Sequence, residues 1–294
     1  MSYILSCCST VDLTKEHLEK INVSYTCFHF ILDGVEYPDD LGQTIPFAEF
    51  YSRLKNGSDS KTSMISVGEY EDYFRSILET GNDIIHLSLS SGTSGSYLSA
   101  LTAAENLKEE FPDRKIYVID SLAASSGYGL LIDEAAAQRD KGLTIDELRD
   151  WVEENKLRLH HWFFSTDLTF FVKGGRVSKV SGMVGGIFEI CPLMNVSVDG
   201  KLIPRAKVRT KKKVIVETVE RMKEHAENGL NYSGKVYMSH SDCIDDANAV
   251  ADLVRENFKN IDGDILINDI GTVIGSHAGP GTVALFFWGD KRVD

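Results

Sequence analysis

No apolar run in the 294 residues approaches the ~20 needed to cross a bilayer as a helix. The opening "MSYILSCCST" lacks the basic start and long apolar stretch of a secretory signal. The expectation is a cytoplasmic protein with no stable membrane insertion. Cysteine is scarce too: Cys7, Cys8, Cys27, Cys191 and Cys243 form an odd set with no C-x-x-C spacing, which points to free thiols and argues against a cysteine metal site. Neither a metal nor a cofactor is expected. Basic residues are outnumbered 31 to 44, and the resulting net charge of −13 repels polyanions, so nucleic acid is not an expected partner. There is no internal repeat and no low-complexity tract.

Nucleotide signatures are missing as well. A phosphate-cradling loop needs Gly-Lys-Ser/Thr, yet no lysine occurs between residues 62 and 107. Gly127-Tyr128-Gly129 runs on into an apolar helical pattern rather than a dinucleotide fingerprint. The nucleophile elbow G-x-S-x-G also fails, because Gly92-Thr93-Ser94-Gly95-Ser96 places its second glycine one position early.

What is present is an alternation of apolar β-rich runs and amphipathic helical patterns. "YILS", "VSYTCFHFIL", "DIIHLSLS" and "KIYVID" read as strands; "PFAEFYSRLKNG", "VGEYEDYFRSILETG", "YLSALTAAENLKEEF", "GYGLLIDEAAAQRDKG" and "TIDELRDWVEENK" read as helices. Thr144 and Glu147 form a capping box for the last helix. Strands separated by helices imply a mostly parallel sheet covered on both faces. Beyond about residue 160 the pattern changes. Asp199-Gly200 predicts a type I′ hairpin inside "CPLMNVSVDGKLIPRAKVR", hence antiparallel pairing. A helix with Ile215, Val219, Met222 and Ala226 on one stripe follows, capped by Gly229, then strand "KVYMS", helix "DDANAVADLVRENF" and strands "DILIND" and "TVALFFW". The fold class expected is α/β, with an N-terminal domain at 1–160 and a C-terminal α+β domain with a mixed or antiparallel sheet at 161–294.

Ligands of open α/β sheets bind beyond the carboxyl ends of the strands. Three strands presumed parallel end in hydroxyl-rich loops at 6–10, 90–96 and 120–127. One serine before a helix is an ordinary N-cap, but residues 88–96 carry six hydroxyls. Helix N-termini, glycines and rotatable hydroxyl donors together suit a small anion. Arg176 in "KGGRVS" and His277 in "GSHAGPGT" are framed by glycine, so each can approach a ligand or partner closely, although either can also be structural. "SGMVGGIFEICPLM" would form a smooth groove wall or a close-packed helix. The stretch 201–213 holds seven basic residues and no acid, either a solvated strand face or a dock for an acidic or phosphorylated partner.

Seven segments in order, "STVDL", "KTSMIS", "SSGTSGSYLSA", "YVIDS", "TFFVKGGRVS", "DGKLIPRAKVRTKKK" and "GSHAGPGT", resemble the DegV family of bacterial two-domain fatty acid-binding proteins. Some members of that family are carrier subunits of fatty acid kinase. The resemblance implies a carboxylate site at Thr62, Ser63, Ser94, Gly95, Ser96 and His277. It places Arg176 at the site's mouth, with Arg205, Lys207 and Arg209 available for docking. The implied partners are a long-chain fatty acid, its tail in an apolar tunnel between the domains, and an ATP-dependent fatty acid kinase. The chain itself would do no covalent chemistry. Cys8 departs from the family's usual Asp, and Ser96 from its usual Thr. From the residues alone, a hydrolase with Ser94 as nucleophile and His277 as base stands as the alternative.

Overall fold

The computed structural model describes residues 2–177 and 190–293. In chain order the elements of the first half are β1 (Tyr3–Cys8), α1 (Lys15–Lys20), β2 (Ser24–Thr26), β3 (His29–Leu32), β4 (Val35–Pro38), α2 (Phe47–Lys55), β5 (Ser60–Ser63), α3 (Val67–Leu78), β6 (Asp83–Ser88), α4 (Ser96–Leu107), β7 (Ile116–Asp120), α5 (Ser125–Asp140) and α6 (Ile145–Asn155). The second half contributes β8 (Leu159–Ser165), α7 (Thr169–Lys173), β9 (Ile190–Val196), β10 (Leu202–Arg209), α8 (Lys211–His225), β11 (Val236–His240), α9 (Ile244–Asn257), β12 (Leu266–Asp269), α10 (Thr272–Ala278) and β13 (Thr282–Trp288). No helix among the described residues is long and apolar enough to cross a membrane.

Strands β2-β1-β6-β7 form a wholly parallel sheet. Its central strands β1 and β6 are almost entirely buried, as expected when helices cover both faces. The second large sheet, β10-β9-β8-β13-β11-β12, is antiparallel except for the parallel pair β11–β12. The chain is therefore α/β with a mixed C-terminal sheet. A small antiparallel sheet, β4-β3-β5, lies beside them. One apolar core runs from Leu5 on β1 to Phe286 on β13, and a second packs α8 and α9 on the far side of the mixed sheet.

Several local expectations meet corrections. The run at 23–32 is two strands, not one. β2 joins the parallel sheet, the Phe28 N–H donates to Ser9 Oγ at 3.1 Å, and β3 then leaves for the small sheet. The 199–200 turn is not type I′, which requires positive φ at both central residues. Only Gly200 has it, at +71°, with its N–H on the Ser197 carbonyl at 3.0 Å and Ser197 N–H on the Lys201 carbonyl at 2.9 Å. This is a type I turn closed by a glycine bulge. α8 ends at His225 with Ala226 as its cap, not Gly229, which opens the next short turn. The Thr144–Glu147 capping box is formed. Of the groove-wall stretch, residues 181–189 lie outside the described residues.

Candidate functional site

The carboxyl ends of β1, β6 and β7 share one edge of the parallel sheet, so their three hydroxyl-rich loops do gather on one rim. The mixed sheet closes over that rim through its hairpin tip. Ser90 Oγ donates to the Gly200 carbonyl at 2.8 Å and accepts from Gly92 N–H at 3.1 Å. A Cβ on Gly92 would lie 2.5 Å from the Asp199 carbonyl oxygen, and one on Gly200 would collide with Ser90 Oγ. Close backbone approach, not ligand contact, is what these two glycines permit.

Between the sheets lies a cavity of about 270 Å³. Its walls are mainly apolar: Phe28, Leu89, Phe163, Phe171, Val196, Val273, Ile274, Ala284 and Phe286. Thr62, Thr93, Ser94, Gly95, Arg176 and His277 also line it. β5 sets two of these. Alternate residues of a strand share a face, and here Ser60 Oγ pairs with Ser276 Oγ at 2.6 Å while Thr62 Oγ1 sits 2.8 Å from His277 Nε2. Ser63 therefore points the other way, donating to Glu36 at 3.0 Å, and is not on the cavity wall. Ser96 is also absent from the wall: its hydroxyl pairs with Tyr70 at 2.7 Å, and Tyr70 in turn reaches Cys8 Sγ at 3.3 Å. Ser94 remains, its Oγ accepting Ser96 N–H at 3.2 Å with its own proton left to donate.

His277 stands on α10, a helix rather than the loop before the last strand. Burial, reinforced by the Arg176 charge, pushes its imidazole down to about 4, so it is neutral at pH 7. Its Nδ1 is buried against Gly174 and has no partner among the described residues. An orphaned N–H is costlier than an orphaned acceptor, so the proton belongs on Nε2, which donates to Thr62 Oγ1. The Thr62 hydroxyl proton is thereby released toward the cavity. A Cβ on Gly174 would strike Nδ1. Gly174→Ala is accordingly expected to push the imidazole off Thr62 and weaken ligand binding about tenfold, the scale of one hydrogen bond to a charged group, with little loss of melting temperature. Titration with a fluorescent apolar carboxylate as a probe of the cavity checks this, and unchanged affinity would show that His277 does not set Thr62.

Two buried acids that were not among the expected site residues hold α10 in place: Asp12, which lies within "STVDL", and Asp39. Asp39 accepts Thr272 Oγ1 at 2.6 Å and Ser9 Oγ at 2.8 Å. Asp12 accepts Gly271 N–H at 3.0 Å and Ser125 Oγ at 2.5 Å. Burial pushes both carboxyls above the usual range, against the lowering effect of those bonds.

Arg176 is exposed at the mouth, donating to the Thr93 carbonyl at 3.2 Å and the Gly174 carbonyl at 2.7 Å. Arg205, Lys207 and Arg209 lie away from the cavity as exposed residues of β10, the edge strand of the mixed sheet. Arg205 donates to Asn195 at 2.8 Å. Charged edge strands also resist edge-to-edge pairing. Among the described residues no hydrogen bond joins Ser94 to His277 and no carboxylate meets His277 Nδ1, so these residues do not form a catalytic triad with one another. His160, His225 and Asp290 cluster with donor atoms within 4.8 Å, but the two imidazoles stack at an interplanar angle of 17°, so their lone pairs run side by side instead of converging on one ion.

Residues 8–290 match the family described as "Uncharacterised protein, DegV family". The chain belongs to the DegV family. A DegV domain-containing protein of Clostridium perfringens is 35% identical over 284 residues, 97% of this chain and 96% of the relative. Among solved structures, a Thermotoga maritima protein described as revealing fatty acid binding function shares 28% identity, with a TM-score of 0.83, over 98% of this chain and 99% of that one. The Streptococcus pneumoniae fatty acid kinase B3 protein, loaded with linoleic acid, superposes with a TM-score of 0.84 over 99% and 100% of the two chains. At 22% identity it shows the DegV fold.

Proposed function

We propose that this chain binds a long-chain fatty acid and presents its carboxylate to a separate ATP-dependent fatty acid kinase, without itself doing covalent chemistry. The observation that carries the reading is a cavity with apolar walls and a polar mouth where hydroxyl donors stand beside the Arg176 guanidinium. The Thr62 hydroxyl, released by His277, and the Ser94 hydroxyl supply two donors, with the Gly95 backbone beside them. Burying ~15 methylenes at ~0.8 kcal/mol each gives about 12 kcal/mol before ordering costs, so the tail supplies affinity and the mouth supplies orientation. The fatty acid binding described for the Thermotoga maritima relative supports the ligand class. The exposed Arg176 beside the mouth supports a docking kinase. In this reading residues 1–160 carry the carboxylate site and 161–294 cover the tail.

The test is organic extraction of protein purified from its host, followed by mass spectrometry. A stoichiometric long-chain fatty acid is expected. Protein that carries none, and takes up none on incubation, would sink the reading, and turnover of a chromogenic ester would favour a hydrolase.

A further inference from the structure

The two ends of the cavity differ. Among the described residues of its wall the exposed ones are Met64, Gly95 and Arg176, and all three stand at the hydroxyl-rich mouth. The other end is shut by packing between the mixed sheet and α5. Phe286 on β13 and His161 on β8 both line the cavity, are cross-strand partners, and are each 2% exposed. Their rings meet edge-on at 5.3 Å and 83°, and a Cβ on Gly127 of α5 would come within 2.5 Å of both. The helix backbone therefore lies directly on the two rings. Val196 ends β9, and since Asn195 pairs with Trp162, the next step brings Val196 into the same row as His161. Behind that row Arg292, 5% exposed, donates to the carbonyls of Val196 at 3.2 Å and Leu122 at 3.0 Å, tying β9 to the loop after β7.

Close-packed interiors yield little, and this end is braced from strand, helix and loop at once. Resting on the fatty acid reading, we propose that the row of Phe286, His161 and Val196, backed by Gly127, is a stop that sets the longest acyl chain the protein accepts, measured from the carboxylate at Thr62 and Ser94. Each methylene short of the stop adds about fourfold in affinity. The first one beyond it must overpack the wall or lift the carboxylate off its donors, and either weakens binding. Ala284 is the place to test this. It lies two residues before Phe286 on β13 and lines the cavity too, because alternate residues of a strand share a face, so a larger side chain there enters the cavity ahead of the stop.

The experiment titrates the straight saturated acids from laurate to behenate, in two-carbon steps, against the parent, Ala284→Leu and Phe286→Leu. In the parent, affinity should climb along the series and then fall about tenfold at the first acid too long for the stop, the scale of an overpacked wall. Ala284→Leu should move that break to a shorter acid, and Phe286→Leu to a longer one. A general loss of fold would lower the whole series alike, so the readout is where the break falls and not how tight the binding is. If affinity in the parent rises all the way to behenate, the proposal is overturned whether or not the variants fold. A break that stays at the same acid in either folded variant overturns it too. Failure of the parent to bind any member of the series would instead overturn the fatty acid reading, and this proposal with it.

Discussion

Thr62→Val and Ser94→Ala are each expected to weaken fatty acid binding by about 1 to 3 kcal/mol, roughly five- to 150-fold, the usual scale for a hydrogen bond to a charged group. The two act by different routes. Valine keeps the shape of Thr62 but removes the hydroxyl that His277 Nε2 donates to, so one change deletes the ligand's donor and strands a second polar group. Alanine at 94 removes a donor and leaves Ser96 N–H, at the start of α4, without its 3.2 Å acceptor. Because the two donors would converge on one carboxylate, the double variant should lose more than either single, though less than the sum. Displacement of a fluorescent fatty acid measures all three. Both side chains are only half-buried, so circular dichroism should report an intact fold. Full affinity in both single variants would remove these residues from the carboxylate site.

Arg176→Ala should separate holding a ligand from handing it on. Arg176 is an exposed residue at the rim, and its guanidinium, partly desolvated there, has a polar head that contributes little to burying a tail, so its removal should cost the fatty acid at most about fivefold in affinity, the range of surface charges. Acyl phosphate formation with the host's kinase and ATP should fall at least tenfold, with a weaker salt dependence, because charge complementarity acts on encounter and register. Lys211/Lys212/Lys213→Ala tests the basic stretch in the same assay. Lys211 is already paired with Asp246 at 2.9 Å, which leaves Lys212 and Lys213 for any partner. Equal losses of binding and phosphorylation in Arg176→Ala would make Arg176 part of the ligand site. Unchanged phosphorylation in the triple variant would leave these lysines as the solvated first turn of α8, not the strand face expected of the whole stretch.

The parallel sheet was legible because buried strands and amphipathic helices have distinct periods, and β1, β6 and β7 with their hydroxyl-rich ends follow from those periods. β5 was not legible. "SKTS" has no apolar alternation, and it is a strand only because β3 pairs with it. Thr62 thus reached the site by resemblance, while its neighbour Ser63 was swept in with it and faces away. Ser96 looked equivalent to Ser94, but two residues further on, where α4 begins, its hydroxyl turns to Tyr70 instead. Asp12, Asp39 and His161 depend on tertiary burial that no local pattern encodes. The hairpin was visible and its turn type was not, since one glycine satisfies either a tight turn or a bulge.

The position of β13 bears on how the protein is made. It is the last strand in the chain, yet it lies inside the six-stranded sheet, between β8 and β11, and carries Ala284 and Phe286 of the cavity wall. Until residues 282–288 leave the ribosome, β10-β9-β8 and β11-β12 are two fragments with facing unpaired edges, and the gap between them closes only through a contact about 120 residues apart in sequence. Acquisition of ligand by a nascent chain would therefore report that residues 282–288 have joined the sheet. A fatty acid present during refolding should speed the final closing phase only if the tail can bridge the two fragments before β13 inserts.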